Sequence, residues 1–211
     1  MLALKAAVLC NTAELKENNG NWGVMGDPTE GALLALAMKA GIKKSELLKE
    51  WSFIGEAPFD SDRKMMTVVF RDNRSGLFHA FTKGAPERVL ALCSDIYAQA
   101  GARPMTGADS DGALLANEEF SKGAMRVLGL AYKTSRDPLD VKSPSSLEKD
   151  LTFIGLAGMI DPPREEVFLA VEKARRAGIT PVMITGDHKL TAVAIAREAG
   201  LFRDKDMAVS G

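Results

Sequence analysis

The chain has 211 residues, 46% of them hydrophobic, which is enough to bury the core of one large domain or of a domain and a half. Its 27 basic and 28 acidic residues are interspersed and sum to a net charge of −1, which argues against nonspecific binding to nucleic acid or to an anionic membrane surface. Cys10 and Cys93 lie in apolar patterns without metal-site or disulfide spacing, which indicates reduced core cysteines in a reducing, cytosolic setting.

The sequence contains no apolar run near the roughly 20 residues that span a bilayer. Residues 1–20 also lack the basic leader and the cleavage site of a signal peptide. We therefore expect a soluble chain without direct membrane contact. It opens inside an apolar helical pattern and ends on a strand-like stretch, so we expect it to be cut from a longer protein.

The first part of the chain alternates helical and strand-like patterns. Helical periodicity predicts helices at residues 2–15, 28–40, 45–50 and 86–92. Short runs rich in Val, Thr and Phe predict an antiparallel meander from the segments "SFIGEAPF", "MMTVVFR" and "GLFHAFTKG". This combination is typical of an α+β domain.

The middle of the chain is more polar. Residues 98–112 are predicted as a loop leading into a helix that ends near Met125. A strand is predicted at residues 126–134, and the following stretch, 135–150, is predicted to be an exposed loop because of its polar composition.

The pattern changes after residue 150. The apolar run 151–160, a helix at 163–178, an apolar strand at 180–185 and a further helix follow one another, which is typical of a parallel α/β layer. We place a domain boundary in this region, between residues 154 and 161.

Three motifs in the first part carry candidate site residues. In "FTKGAPERVL", a strand delivers Lys83 to a turn at Gly84 before a helix, a pattern that suits an anion such as phosphate, although an ordinary lysine in an exposed turn fits as well. In "FDSDRKMMTVVF", Phe59 could offer a semi-exposed ring to a planar base with Lys64 nearby, or it could be a core residue. In "GDPTEGALL", Glu30 has the spacing of a capping box with Asp27, which explains it without any ligand.

Two further motifs lie after the predicted boundary. In "MIDPPREEV", two prolines between Asp161 and Arg164 suit a hinge, and the arginine could bind phosphate or pair with a neighbouring glutamate.

In "MITGDHK", Thr185, Gly186 and Asp187 follow a predicted strand, where ligands of open α/β sheets bind; Asp187 could equally cap the next helix. His79 and His188 are isolated in the sequence and are interpreted as structural or surface residues.

Each motif alone is weak, but together they resemble the cytosolic part of the P-type ion-pumping ATPases, in their calcium-transporting branch. The resemblance covers nearly the whole chain. It rests on the order of the segments "GDPTEGALL", "FDSDRK", "FTKGAPE", "RVLGLAYK", "GMIDPPR" and "MITGDHKLTAVAIA".

The resemblance implies an antiparallel nucleotide-binding domain, residues 1–156, flanked by helices. A partial Rossmann-like segment of the haloacid-dehalogenase type, 157–211, would begin the phosphorylation domain. It further implies a parent pump that transfers the ATP γ-phosphoryl group to an aspartate and couples hydrolysis to cation transport, with calcium as the expected ion. The chain would then face the cytosol at a membrane, the plasma membrane of a prokaryote.

The same resemblance assigns roles to residues of the nucleotide pocket. Phe59 would stack on adenine, Glu30 would lie near the amino group of the base, and Lys64 and Lys83 would be the pocket lysines. Arg126 would reach the nucleotide phosphates. Ser61 departs from the pattern, since animal reticulum calcium pumps carry an arginine at the matching position, which puts one phosphate contact in doubt.

The resemblance also assigns roles beyond the boundary. Asp161 and Arg164 would contact nucleotide as domains close, while Thr185, Gly186 and Asp187 would cradle the transferring phosphoryl group. Neither the Asp-Lys-Thr-Gly-Thr motif that carries the nucleophile nor the Gly-Asp-Gly-x-Asn-Asp motif that holds Mg²⁺ occurs in the sequence. The expected partners are therefore ATP or ADP, Mg²⁺ held mostly by residues outside this chain, and the rest of the pump with its transmembrane and actuator parts.

Two rival hypotheses stay open. One is a self-sufficient dehalogenase-like phosphatase or phosphotransferase, which would need a nucleophilic aspartate; Asp150 and Asp161 are nearby but lack the expected sequence setting. The other is a nucleotide-binding regulatory module. Turnover of p-nitrophenyl phosphate would favour the first, and genomic context would identify the second.

Overall fold

The computed structural model describes the chain at residues 1–123, 125–160, 164–185, 189–203 and 206–209. The chain divides into two compact units, a first unit of residues 1–114 and 128–157 and a second of 115–127 and 158–211. The functional division predicted from the sequence, into residues 1–156 and 157–211, stays a prediction.

The strands form two antiparallel-rich sheets. In chain order they are β1 (Glu14–Asn18), β2 (Asn21–Met25), β3 (Trp51–Asp60), β4 (Met65–Asp72), β5 (Phe78–Gly84), β6 (Cys93–Ala98), β7 (Gly101–Pro104), β8 (Arg126–Ser135) and β9 (Leu151–Met159). Strands β1 and β2 pair alone, and the other seven form one sheet in the order β3-β4-β5-β8-β9-β6-β7. The predicted meander is confirmed as β3, β4 and β5, which pair antiparallel in sequence order. The α+β class is confirmed as well.

The helices flank this sheet or follow it. They are α1 (Leu2–Leu9), α2 (Pro28–Lys39), α3 (Lys44–Glu50), α4 (Pro86–Leu90), α5 (Gly107–Lys122), α6 (Pro144–Leu147), α7 (Glu165–Arg176) and α8 (Lys189–Glu198). The cap predicted for α2 is confirmed, because Asp27 Oδ1 accepts hydrogen bonds from the backbone N–H groups of Thr29 and Glu30.

The first helix ends six residues earlier than its apolar pattern predicts. Cys10 has a non-helical ψ of 63°, and the Asn11 side chain donates to the Ala7 carbonyl at 3.2 Å, which satisfies an acceptor at the helix end. The chain then turns into the hairpin β1–β2, which the sequence did not predict. Strand β7, which pairs with β6, lies within the stretch 98–112 that was predicted as a loop.

The central strands bury both of their faces. Met66, Val68 and Phe81 pack on one face against apolar residues of α1 and α2. Val69 and Ala80 pack on the opposite face against Leu147. A sheet covered on both sides needs apolar residues at most positions of its central strands. The sequences of these strands are accordingly apolar along nearly their whole length.

The segment 135–150 is not the exposed loop predicted from its composition. It contains α6, and Leu147 and Glu148 are 2% and 4% exposed. The prediction is wrong because a few buried residues suffice to attach a polar segment to a sheet face.

The second unit contains α7, which ends before Gly178 at φ +75° as its sequence predicts, and α8. The strand predicted at 180–185 is not formed, and Val182 and Ile184 are 77% and 93% exposed. An apolar run becomes a strand only where a neighbouring strand offers hydrogen bonds. In the described ranges of the chain, no helix has both the length and the apolar character needed to cross a bilayer.

Candidate functional site

The β3–β4 loop, residues 58–64, consists of the last residues of β3 and the turn that follows them, and it presents an aromatic ring and a lysine at the edge of the sheet. Phe59 is 65% exposed, which excludes the core position considered for it, and Lys64 is exposed too. Asp60 Oδ1 accepts hydrogen bonds from the N–H groups of Asp62 at 3.0 Å and Arg63 at 2.9 Å. These hydrogen bonds lower the pKa of Asp60, and the bond from Arg63 has the larger effect. The loop thus has a fixed internal geometry.

A second contact joins this loop to the end of β5. Gly84 pairs with Met65, and the Ala85 N–H donates to the Lys64 carbonyl at 2.9 Å. A Cβ atom on Gly84 would lie 2.5 Å from both the Lys64 oxygen and the Met65 Cβ, closer than real Cβ atoms approach. Glycine is therefore required here for close backbone packing, and that packing brings Lys64 beside the strand that carries Lys83.

Lys83 does not lie in an exposed turn. Its side chain is buried, and Nζ donates to Glu30 Oε1 at 2.6 Å. Glu30 comes from the first turn of α2, so the ion pair joins this helix to the central strand β5. The structure thus brings together two of the candidate residues, separated by 53 positions in the sequence.

Glu30 does more than occupy a capping position. Its Oε2 accepts from the N–H and hydroxyl of Thr12 at 2.8 and 2.6 Å and from the N–H of Ala13 at 2.9 Å. Burial acts to raise the pKa of Glu30, but the hydrogen bonds from Lys83 and Thr12 outweigh it, so the pKa lies below its ordinary value. Glu30 is therefore held as a carboxylate.

The segment that binds Glu30 is itself anchored. Lys44 Nζ donates to the carbonyls of Asn11 at 2.7 Å and Ala13 at 3.1 Å, and Asn11 Nδ2 donates to the Glu30 carbonyl at 2.8 Å. Cys10 lies next to this cluster with no exposed surface, and burial raises the pKa of its thiol to about 12. Cys10 is thus an unreactive core thiol, as its apolar surroundings predicted.

The remaining candidates lie in the second unit or outside the described residues. Arg126 begins β8, Arg164 precedes α7 at its N-cap, and Thr185 follows the unformed strand; all three are exposed. Asp161, Gly186 and Asp187 lie outside the described residues, as does His188. In the part of the chain that the structure describes, no group of three or more His, Cys, Asp or Glu side chains could hold a metal ion.

Sequence reasoning missed the residues that support the site. Thr12, Asn11 and Lys44 surround Glu30 in the structure, and Arg63 contacts Glu148 from the β3–β4 loop. A polar residue in an apolar stretch, such as Asn11 after α1, was the available signal. The partner could not be read from that signal, because it lies elsewhere in the chain.

Comparison with known proteins decides the family. A family model described as "P-type ATPase, cytoplasmic domain N" matches residues 1–166. The chain belongs to the P-type ATPases. It is 41% identical over 208 residues to a calcium-transporting ATPase of Listeria monocytogenes, with 97% of this chain and 23% of that protein covered.

Other P-type ATPases match over similar lengths. A calcium-transporting ATPase of Bacillus cereus is 43% identical over 204 residues, which cover 96% of this chain and 22% of that protein. A sodium/potassium exporting P-type ATPase of Schizosaccharomyces pombe is 38% identical over 201 residues, 94% of this chain and 19% of that protein. The chain thus spans less than a quarter of the length of these relatives, and relatives named for different ions match it.

Proposed function

We propose that the first unit of this P-type ATPase chain binds ATP or ADP at the β3–β4 loop and the adjoining end of β5. The observation that carries the proposal is the exposed Phe59 ring in the same loop as the exposed Lys64, whose carbonyl is held by the N–H of Ala85. An aromatic face in such a position suits stacking with adenine, worth about 1–3 kcal/mol per base in nucleic-acid complexes. Lys64 supplies a positive charge for the phosphates.

Glu30 and Lys83 complete the proposed pocket. Three donors fill Glu30 Oε2, but Oε1 accepts only from Lys83 among the contacts described above, and a carboxylate oxygen accepts about two hydrogen bonds. Oε1 therefore retains an acceptor position for the amino group of adenine. Lys83 has three N–H donors, so it can hold Glu30 and still donate to the nucleotide.

The complete protein, we further propose, is a cation pump that forms an aspartyl phosphate, with calcium as its ion. In that protein Arg126 reaches the nucleotide phosphates, and Asp161 and Arg164 contact the nucleotide as the domains close. Thr185, Gly186 and Asp187 cradle the transferring phosphoryl group. The names of the bacterial relatives support calcium, and the matched domain description supports a position on the cytosolic side of a membrane.

Mg²⁺ accompanies ATP in the proposed cycle and would neutralise charge on the phosphates. The acidic residues of the first unit do not form a group suited to it in the described part of the chain. We propose that it is held mainly by residues of the longer protein, with Thr185 and Asp187 near it. The residues of the present chain bind and orient the nucleotide.

Titration of the chain with ATP, followed by calorimetry, tests the proposed pocket. We expect Phe59→Ala to weaken binding at least about 5-fold, which corresponds to ~1 kcal/mol of lost stacking. Phe53→Ala is the matched control, because Phe53 lies on the same strand and is 57% exposed but stands about 20 Å away along β3. Equal affinity of both variants and the unmodified chain would refute the pocket.

A further inference from the structure

A partly buried ion pair supports the β3–β4 loop on the face of the sheet that packs against Leu147. Arg63 lies between Phe59 and Lys64 in sequence, and its Nη1 contacts Glu148 Oε1. Its other terminal nitrogen, Nη2, donates to the carbonyl of Pro58 at 2.6 Å. Arg63 therefore links Glu148 to the residue directly before the exposed ring.

Glu148 is buried against the sheet and is not a surface residue. It is 4% exposed, and its Oε1 also accepts from the hydroxyl of Thr67 at 2.9 Å. The oxygen of that hydroxyl lies 2.8 Å from that of Thr82 on the neighbouring strand, and both threonines are fully buried. The carboxylate thus joins the loop to β4 and β5 through one polar network.

The segment that carries Glu148 is held in place independently. Lys133 Nζ donates to the carbonyls of Ser146 at 3.3 Å and Lys149 at 2.7 Å. Leu147 is buried against Val69 in the apolar cluster of that face. Glu148 is therefore a fixed anchor point to which Arg63 attaches the loop.

We propose that Arg63 and Glu148 are a positioning pair for Phe59, a role that rests on the proposed nucleotide site. The ring is largely exposed, so packing does little to fix it, and its position follows from the backbone at Pro58. Lys64 is held separately by the bond from Ala85. Loss of the pair lets the ring leave the binding position, and the apparent affinity falls in proportion to the fraction of chains that are competent to bind.

Glu148→Gln and Arg63→Lys test this role in the full chain with ATP as the probe. Each substitution keeps the approximate shape but weakens the pair, and we expect each to raise the Kd about 5-fold, as for a competent fraction of about one fifth. Arg63→Lys keeps the charge opposite Glu148, so it carries the test if Glu148→Gln does not fold. Glu50→Gln is the matched control, because Glu50 pairs with Arg74 at the β4–β5 turn, and it should leave the Kd unchanged.

The decisive measurement repeats Glu148→Gln in the Phe59→Ala background. Because the pair acts through the ring, we expect the substitution to raise the Kd less than about 2-fold there, a failure of additivity typical of residues that act through one another. Thermal unfolding of all variants records the structural effect separately. An unchanged Kd in both Glu148→Gln and Arg63→Lys, or an equal effect with and without the ring, overturns the positioning role alone. Unchanged affinity in Phe59→Ala overturns the proposed nucleotide pocket itself, on which the positioning role rests.

Discussion

Lys83 Nζ and Glu30 Oε1 lie 2.6 Å apart in the core of the first unit. Both side chains are buried, and the pair joins α2 to β5 while Glu30 also binds the backbone after α1. Two residues expected to bind nucleotide thus also hold three parts of the fold together. Substitutions at these positions will change stability as well as affinity, so the two effects must be measured separately.

Glu30→Ala should strongly destabilise the chain. It leaves the Lys83 ammonium buried without its partner and removes the acceptor of the Thr12 and Ala13 N–H groups. Breaking a buried pair from one side costs about 3–5 kcal/mol. Chemical denaturation measures this loss, and Glu17→Ala on the exposed strand β1 should stay within about 0.5 kcal/mol of the unmodified chain. A loss for Glu30→Ala as small as that of the control would contradict a structural role for the pair.

The contribution of Glu30 should depend on pH. Burial acts to raise its pKa, but the bonds from Lys83 and Thr12 lower it below the ordinary value of 4.5. A carboxyl group whose pKa is lower in the folded state stabilises the fold above its unfolded pKa and loses this effect as the pH falls through the folded pKa. The difference in Tm between the unmodified chain and Glu30→Gln should therefore shrink below about pH 4.5. A constant difference down to pH 3 would be incompatible with this account.

His79 should titrate below the usual range for histidine. Its ring packs 4.9 Å from that of Trp51, and burial is the main cause that lowers its pKa below 6.5, with Asp72 acting in the opposite direction and Lys5 in the same one. Protonation favours the unfolded chain, so stability should fall as the pH drops through about 6.5. NMR titration of the ring protons measures the pKa directly, and His79→Gln should remove this part of the pH dependence. A pKa at or above 6.5 would show that the ring is more hydrated than the structure indicates.

Local patterns predicted the scaffold of the site well. The strands β3 to β5 and the Asp27 cap of α2 depend on residues close in sequence, and both are confirmed. The supporting contacts could not be predicted in the same way. Thr67 and Glu148 are 81 positions apart, and Thr12 and Glu30 are 18 apart, so only the folded chain identifies the partners.

The predicted strand at 180–185 shows the opposite error. Its apolar residues fit a strand, but pairing depends on a neighbour that a local pattern does not contain. Among the described residues the segment has no strand partner, and Ile184 is 93% exposed. A local pattern contains no information about distant partners. For this reason it predicted a strand at 180–185 that is not formed, and it could not predict the contacts of Glu148.

The chain should bind ATP without turning it over. The sequence has no Asp-Lys-Thr-Gly-Thr motif to supply the nucleophile of an aspartyl-phosphate cycle. We expect calorimetric binding but no phosphate release and no covalent label from γ-labelled ATP in the presence of Mg²⁺. Turnover of p-nitrophenyl phosphate that is lost in Asp187→Asn would contradict this expectation and favour a self-sufficient phosphatase.

Gly84→Ala should weaken both the fold and nucleotide binding. The new Cβ would lie 2.5 Å from the Lys64 carbonyl oxygen, so β5 and the β3–β4 loop must separate. Overpacking of this kind costs about 1–3 kcal/mol, and it moves Lys64 away from Lys83. Gly112→Ala is the matched control, because nothing lies within 4 Å of its added Cβ and its position within α5 should gain about 0.5–1 kcal/mol from the better helix former. If ATP affinity is the same in Gly84→Ala as in Gly112→Ala, the contact between Lys64 and Ala85 does not shape the pocket.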